Sequence, residues 1–537
     1  MKNMTLGRMA AACGGLYYGR AEDRDREICA ITTDSRQAEP GCLFAAIRGR
    51  RVDGHDFIAQ VFEMGALCVI TEQEPSFDTD GEILQEVSDR ESGKNRNTPQ
   101  TGNYIKVDST IRALGALAAY YLEQLAIPVV GITGSVGKTS TKEMVAAVLS
   151  RKYRTLKTAG NFNNELGLPL TIFRLRDEDE IAVLEMGINH FGEMHALARI
   201  AKPDTCVITN IGQCHLEFLG DRDGVLRAKT EIFDYLRPDG HIILNGDDDK
   251  LATVQEAKGI RPTFFGLGTG NNIYADQIEK KGLDGIKCRI CVKKKADTQD
   301  GMGTECAIAA GNTDAAGCEA ANSCETAEEG RTAYQGAEMA CDIIADSFTV
   351  QIPIPGVHMV RNALAATAVG LHYGLTTEEI RAGIESLQPV SGRFHIIHTA
   401  NFTIIDDCYN ANPVSMKASL EVLQDGLHRK IAILGDMGEL GTDEIRMHRE
   451  VGTFAGGLSI DMCICAGTLA AQIAEGVQTS ASGIETVILP DLSSLLEQLP
   501  SLVKRSDTIL VKASHFMHFE KVVAELEQMG EDIRDHG

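Results

Sequence analysis

Basic residues are scarce in this chain, and long apolar runs are missing. Of 537 residues, 52 are Lys or Arg against 76 Asp or Glu, a formal charge of −24. Phosphate backbones are gripped by clustered Lys and Arg, so this balance excludes a general nucleic-acid binder. It leaves room for a local basic pocket that takes an anionic substrate. Nowhere do about 18 apolar residues run together, so no membrane insertion is expected. The opening residues MKNMTLGRMAAACGG hold no apolar core of signal-peptide length, and the chain reads as cytoplasmic. Cys288 and Cys291 form a C-x-x-C, but no second one follows, and GIKCRICVKK reads as a strand rather than a zinc site. Of the 15 cysteines, Cys68, Cys206, Cys463 and Cys465 lie inside apolar strand-like runs, where a reduced thiol behaves as a small hydrophobe.

What is present is an ordinary globular composition, 43% hydrophobic and 24% charged, with length for two to four α/β domains. The informative stretch is IPVVGITGSVGKTSTKE, residues 127–143. An apolar β-branched run (Ile127, Val129, Val130, Ile132) predicts a strand, Gly131, Gly134 and Gly137 a loop, and the pattern from Thr141 a helix. Such a loop turns successive N–H groups toward phosphate oxygens at a helix N-terminus. Lys138 is placed to reach the β/γ-phosphates and Thr139 to ligate Mg2+. Ile132 stands at the first glycine position of the general template, with Gly131 and Gly134 on either side, so the loop is a variant.

Upstream, residues 31–70 read as a small α/β unit: a strand over Cys42–Ile47, a helix with Phe57, Val61 and Met64, and a strand over 66–70. Asp34, Ser35 and Arg36 precede it in a loop. Residues 75–101 are polar and lose period, which predicts a mobile insertion; a helix follows over Thr110–Leu125. Downstream, GNFNNELG (residues 160–167) makes a loop rich in amide groups. IAVLE is a strand ending in Glu185, and TCVIT a strand followed by His215 and a helix bearing Lys229. HIILNGDDD ends in Asp247–Asp249. Ligands of α/β sheets bind beyond the carboxyl ends of strands, so Lys138/Thr139, Glu185, His215 and Asp247 are expected at one edge. Residues 293–347, with Cys306, Cys318 and Cys324, are low-complexity text and predict a poorly ordered insertion. Thr376 and Glu379 form a capping box. From Gly392 another doubly wound pattern begins, with strands FTIIDD, KIAILGD, MCICAG and TILVKAS.

Assembled, these blocks resemble the Mur ligase family, ATP-dependent amide-forming enzymes of peptidoglycan precursor synthesis. They are DSRQAEPGCLFAAIRGRRVDGHDF, GITGSVGKTSTKEM, GNFNNELGLPLT, EMGINHFGEM, TNIGQCHLEFLG with AKTEIF, HMVRNALAA, DDCYNANPVSM and GDMGELG. The last two point to the branch that adds D-alanyl-D-alanine to UDP-N-acetylmuramoyl-tripeptide.

The resemblance implies an α/β fold of three domains: a small N-terminal domain for the UDP-sugar-peptide (1–106), a central P-loop ATPase-like parallel sheet (107–391) and a C-terminal Rossmann-like domain (392–537). It implies ATP and Mg2+, with Thr133, Gly134, Ser135, Val136, Gly137, Lys138 and Thr139 around the phosphates. Asn362, Tyr409 and Asn410 match positions near adenine, and Arg393 and Asp407 ribose or phosphate contacts. Thr139, Glu185 and His215 hold metal, with Lys229 as a further ligand if carbamylated; Lys138, Glu185, His215 and Lys229 form the catalytic set. Asp34, Ser35 and Arg36 match the uridine-side loop, and Asn161 and Asn164 are expected at the substrate. Val136 and Ser140 depart mildly from the family pattern. VKASHF carries Ala513 and His515 where relatives read Gly and Arg. The polar insertions offer no apolar face, which predicts a monomer.

The alternatives are another amide ligase of the superfamily, a non-catalytic P-loop nucleotide-binding protein, and a catalytically silent homologue. No DNPR block of the third-residue-adding ligase and no N-K-x-D guanine motif is present.

Overall fold

The computed structural model describes residues 1–49, 51–74, 76–77, 83–88, 95–99, 102–294, 343–480 and 483–532. Its organising element is a nine-stranded sheet in the order Thr155–Lys157, Ile181–Glu185, Val129–Thr133, Thr205–Ile208, His241–Asn245, Thr263–Gly266, Ile273–Lys280, Ile286–Lys294, Ile343–Ile352. The first seven strands run parallel; Ile286–Lys294 returns antiparallel to them, and Ile343–Ile352 pairs antiparallel with it.

Alternation along each central strand explains why both faces are covered. Val130, Ile132, Val183, Val207 and Ile243 enter one core, shared with helices Lys138–Leu149 and Val357–His372. Val129, Ala182, Leu184, Cys206 and Ile208 enter the other, with helices Thr110–Leu125 and Glu193–Ala201. Each fully buried Val, Leu or Ile among them contributes roughly 1.5–3 kcal/mol. Strand Val129–Thr133 lies between Ile181–Glu185 and Thr205–Ile208, so the chain leaves it to one side and returns on the other. That reversal opens a crevice at the carboxyl ends, where the glycine loop emerges.

A smaller sheet precedes it, ordered Leu16–Tyr18, Asn103–Lys106, Cys68–Thr71, Leu43–Ala45, Ile31–Thr32. The last is ordered His395–His398, Thr403–Asp406, Thr508–Lys512, Lys430–Gly435, Met462–Ala466, Glu485–Leu489, parallel after its first pair. The fold is therefore α/β with three parallel-dominated sheets.

Several expectations are corrected. Helix Lys138–Leu149 begins three residues before Thr141, because Gly137 takes φ 83 and turns the chain straight from loop into helix. Within 75–101, the described residues Ser76–Phe77, Ile83–Ser88 and Asn95–Pro99 pair as an antiparallel sheet: backbone pairing does not need the apolar periodicity that the text lacks. Strands His395–His398 and Glu485–Leu489 went unanticipated, lying at the sheet's two edges where the burial signal is weakest. The capping box at Thr376 and Glu379 is present, and Cys288 and Cys291 are free and buried in strand Ile286–Lys294. The low-complexity stretch expected over 293–347 is shorter than its text: Lys293 and Lys294 end strand Ile286–Lys294 and residues 343–347 open strand Ile343–Ile352, held by their mutual ladder, while 295–342, with Cys306, Cys318 and Cys324, lie outside the described residues. Among the described residues no helix is long and apolar enough to cross a membrane.

At the far end of the central strands from the crevice, the rings of His241 and His372 stack with centroids 4.4 Å apart and an interplanar angle of 7°. His241 Nε2 lies 3.0 Å from Thr263 Oγ1.

Candidate active site

The crevice at the carboxyl ends of the central strands holds a cavity of about 750 Å³. Its base is the glycine loop. A Cβ on Gly134, at φ +151, would stand 1.9 Å from Thr209 Oγ1, so only glycine lets the loop lie this close to the neighbouring strand. Thr209 Oγ1 and Asn210 Nδ2 both donate to the Val136 carbonyl, at 2.6 and 3.0 Å, and Val136 N donates to Asn210 Oδ1 at 2.9 Å. The loop is thus braced before anything binds. Gly137 caps helix Lys138–Leu149 with no side-chain hydrogen bond, which leaves the first helical N–H groups facing the cavity without an intrahelical partner. Lys138 Nζ donates to the Gly134 carbonyl at 2.8 Å.

Beside the loop stands Glu185, 2% exposed at the end of its strand. Thr139 Oγ1 donates to its Oε2 at 3.0 Å and Asn163 Nδ2 to its Oε1 at 2.8 Å. Lys142, one turn along the helix from Thr139, places Nζ 3.9 Å from Oε2 and donates to the Thr158 carbonyl at 2.8 Å. The Thr158 hydroxyl in turn accepts from Glu185 N at 2.9 Å.

His215 lines the same cavity. Lys229, on helix Arg222–Thr230, is completely buried, with no hydrogen-bond partner for Nζ. Burial, with a smaller effect from the positive Lys138, pulls its ammonium down to about 8, against an opposing effect of Cys214. Among the described residues two buried polar atoms here lack a hydrogen-bond partner, Thr133 Oγ1 at the end of its strand and Lys229 Nζ on helix Arg222–Thr230. Such orphans are costly, and their clustering marks groups held for something other than folding. An oxygen-rich pair, Thr139 and Glu185, with the imidazole of His215 nearby, suits a hard divalent cation. Among the described residues no group of three His, Cys, Asp or Glu side chains forms a metal cage by itself.

The cavity's other wall comes from the last sheet. Arg393 lies over the Tyr409 ring at 4.0 Å, and His515 stacks on Tyr409 with centroids 5.4 Å apart. Lys512 Nζ donates to Asp407 Oδ2 at 2.6 Å and to the Asn410 carbonyl at 3.0 Å, and Ser419 Oγ donates to Asp407 Oδ2 at 2.7 Å. Ala513 is fully buried; its methyl occupies the space that a Cβ on Gly435 would need, 2.6 Å away.

Of the residues the sequence singled out, Ser135 to Thr139, Asn161, Asn164, Glu185, His215, Arg393, Asp407, Tyr409 and Asn410 all line this cavity. Thr133 ends strand Val129–Thr133 and Gly134 opens the loop, and neither lines the cavity. Asn362 stands behind the loop, its Oδ1 accepting from Thr141 Oγ1 at 3.1 Å. Asp247 does not come to the cavity: its carboxylate accepts from Leu267 N and Gly268 N, at 2.7 and 3.1 Å, and so ties down the loop that follows the neighbouring strand Thr263–Gly266. Asp34, Ser35 and Arg36 also lie apart from it. Arg36 is engaged by Asp34 through Nε–Oδ1 at 2.9 Å and Nη2–Oδ2 at 2.7 Å, so its guanidinium is turned toward its own loop. Sequence reasoning passed over Asn163 and Lys142, and it noted Glu439 only as a polar residue beside Asp436 at a strand end. Lys142 could have been found from its spacing, since a residue three after Thr139 shares its helix face; the pairing of Glu439 with His215 could not, because the two are remote in sequence.

The comparisons agree with this geometry. Residues 27–122 match the Mur ligase family catalytic domain, 132–303 the Mur ligase middle domain, and 392–515 the Mur ligase glutamate ligase domain. A UDP-N-acetylmuramoyl-tripeptide–D-alanyl-D-alanine ligase of Bacillus subtilis is 34% identical over 93% of both chains. That of Escherichia coli is 32% identical over 96% of this chain and 97% of its own. Among solved structures, MurF of Acinetobacter baumannii superposes with TM-score 0.77 at 31% identity, over 98% of this chain and 99% of its own. MurF ligase of Thermotoga maritima in complex with ADP gives 0.69 at 26%, over 93% and 97%. Motif, sheet order and overall similarity converge: this chain belongs to the Mur ligase family.

Proposed function

We propose that this protein is the ligase that joins D-alanyl-D-alanine to UDP-N-acetylmuramoyl-tripeptide at the expense of ATP, in peptidoglycan precursor synthesis. The observation that carries the reading is one cavity lined both by a phosphate loop, Ser135 to Thr139, and by polar groups of the last sheet, Arg393, Asp407 and Tyr409. An enzyme that activates a carboxylate with phosphate and then delivers an amine needs both walls in one place. The relatives' names supply the substrates, and the Thermotoga maritima complex supports an adenine nucleotide here. The reading entails domains near 1–106, 107–391 and 392–537 and a cytoplasmic monomer.

A carboxylate resists an amine because oxide is a poor leaving group. In the first step a carboxylate oxygen of the tripeptide attacks the γ-phosphorus, and the bond to the ADP oxygen breaks. In the second, the amine of D-alanyl-D-alanine forms the C–N bond, the C–O bond to phosphate breaks, and a proton leaves the nitrogen. The N–H groups at the start of helix Lys138–Leu149 and the Lys138 ammonium stabilise charge on the phosphates in transfer. Thr139, Glu185 and His215 would hold Mg2+, with Lys229 joining them if its amine adds CO2 and loses a proton to become a carbamate. Bound there, the ion supplies Lewis-acid stabilisation of phosphoryl oxygens. Arg393 and Tyr409 present a flat cationic and aromatic pair suited to the nucleoside, and Asn161 and Asn164 offer amides to the tripeptide.

The test is phosphate release by purified protein with ATP and Mg2+, each carbon substrate omitted in turn, and the product weighed by mass spectrometry. Release that needs both, with a product heavier by the dipeptide less water, supports the ligase. ATP turnover with neither, or binding without turnover, sinks it and leaves a nucleotide-binding homologue.

A further inference from the structure

The loop after strand Lys430–Gly435 is held by its own sheet at nearly every residue. Asp436 Oδ1 accepts from Leu469 N and Ala470 N, at 3.0 and 2.6 Å. Met437 N donates to His448 Nε2 at 2.8 Å, and Gly438 N to Ser514 Oγ at 2.8 Å. The side chains of Met437 and Leu440 are buried. Glu439 is the exception. Its backbone is held at φ 60, a conformation L-residues rarely adopt, and its carboxylate leaves the sheet altogether. Oε2 ends 2.6 Å from Nδ1 of His215, an approach close enough for an ion pair but off the line of a good hydrogen bond.

His215 is likewise a non-glycine residue at positive φ, 53. The two loops touch a second time where a Cβ on Gly441 would stand 3.6 Å from Glu217 N. Strained residues persist where surrounding structure over-determines them, and they cluster at sites that work. Here two face each other across the junction between the central and the last sheet. An imidazole whose Nδ1 is engaged has its ring plane fixed, and only Nε2 is left for the cavity.

We propose that Glu439 is a positioning residue: its carboxylate, carried by the last sheet, sets the ring of His215, so that the central site is completed only when the last sheet is docked against it. The proposal rests on the placing of His215 in the active site under the ligase reading. It gives Glu439, which lines the cavity beside His215, a task that acts through the imidazole.

The test compares full-length wild type, Glu439→Gln and Glu439→Ala, alone and with Mg2+ and a non-hydrolysable ATP analogue. Amide hydrogen exchange over residues 212–220 is read beside steady-state kinetics. Glu439 is half-exposed, so both variants are expected to keep the wild-type melting temperature. Exchange over 212–220 rises about tenfold in the alanine variant, and kcat falls about tenfold, with the KM for the UDP-linked substrate within about twofold. Glutamine, which keeps the size and a polar end, recovers part of both. Unchanged exchange in the alanine variant overturns the proposal, as does faster exchange with unchanged kcat, or a general fall in melting temperature that accounts for both. If wild type itself shows no ligase turnover, the ligase reading fails, while the exchange comparison still decides whether Glu439 orders the His215 loop.

Discussion

Lys512 and Asp407 form a buried ion pair, Nζ to Oδ2 2.6 Å, in the wall where the last sheet meets the cavity. Side-chain exposure is 2% for the lysine and 7% for the aspartate, so neither charge has water to fall back on. Removing one partner leaves the other uncompensated. Lys512→Met is expected to destabilise the last sheet by about 3–5 kcal/mol. Urea unfolding followed by circular dichroism checks this, since the chain has no tryptophan to report by fluorescence. A loss below about 1 kcal/mol would mean that Ser419 alone suffices to hold Asp407.

Lys229 predicts the opposite sign. Its buried Nζ has no partner, so Lys229→Met, similar in length and apolar, is expected to stabilise the ligand-free protein by about 1–3 kcal/mol. The same change is expected to lower kcat about 100-fold or more. Calorimetry on dialysed protein and the phosphate-release assay measure the two effects. Equal stability with full activity would remove Lys229 from the site.

At the glycine loop, Gly134→Ala forces a methyl against the Thr209 hydroxyl that braces Val136. The loop must shift by a substantial part of an ångström, and kcat/KM for ATP is expected to fall on the order of 100-fold. Steady-state kinetics at varied ATP decide it; a fall under about threefold would show that the close approach does not shape the phosphate site.

The stacked pair of His241 and His372 makes stability depend on pH. Burial first, and then the neighbouring His372, holds His241 down to about 4 from its ordinary 6.5. The folded state therefore refuses a proton that the unfolded chain accepts. His241's contribution is fully present above about 6.5, declines as pH falls and is gone near 4. Denaturant midpoints between pH 7 and 4 should drop, and His241→Phe should flatten that drop. A parallel decline in the variant would assign the acid sensitivity elsewhere.

Much of the site was legible because it is local. Gly134, Gly137, Lys138 and Thr139 sit within six residues of one another, and a strand, loop and helix leave few ways to arrange them. Glu185 and His215 followed from the rule that parallel strands bring their carboxyl ends to one edge. The same rule failed for Asp247, because a carboxylate just past a strand can equally turn back and cap the next loop, and spacing does not distinguish the two. The pairing of Glu439 with His215 needed the docking of two sheets, which no local pattern encodes. Ala513 was legible only as a departure; that its methyl sits against Gly435 became plain once the two strands lay side by side.

The antiparallel return of the central sheet has a consequence for the chain's architecture. Lys294 and Ile343 are direct cross-strand partners, so the two points between which the long low-complexity text enters and leaves are fixed next to each other by the ladder itself. The energetic cost of closing a loop grows only slowly with its length, and here the ladder sets the closure. That margin is therefore a port: it accepts a short turn, a long segment or a whole grafted domain with little change to the strands that carry it, and sequence there is free to drift in length while the catalytic edge stays fixed.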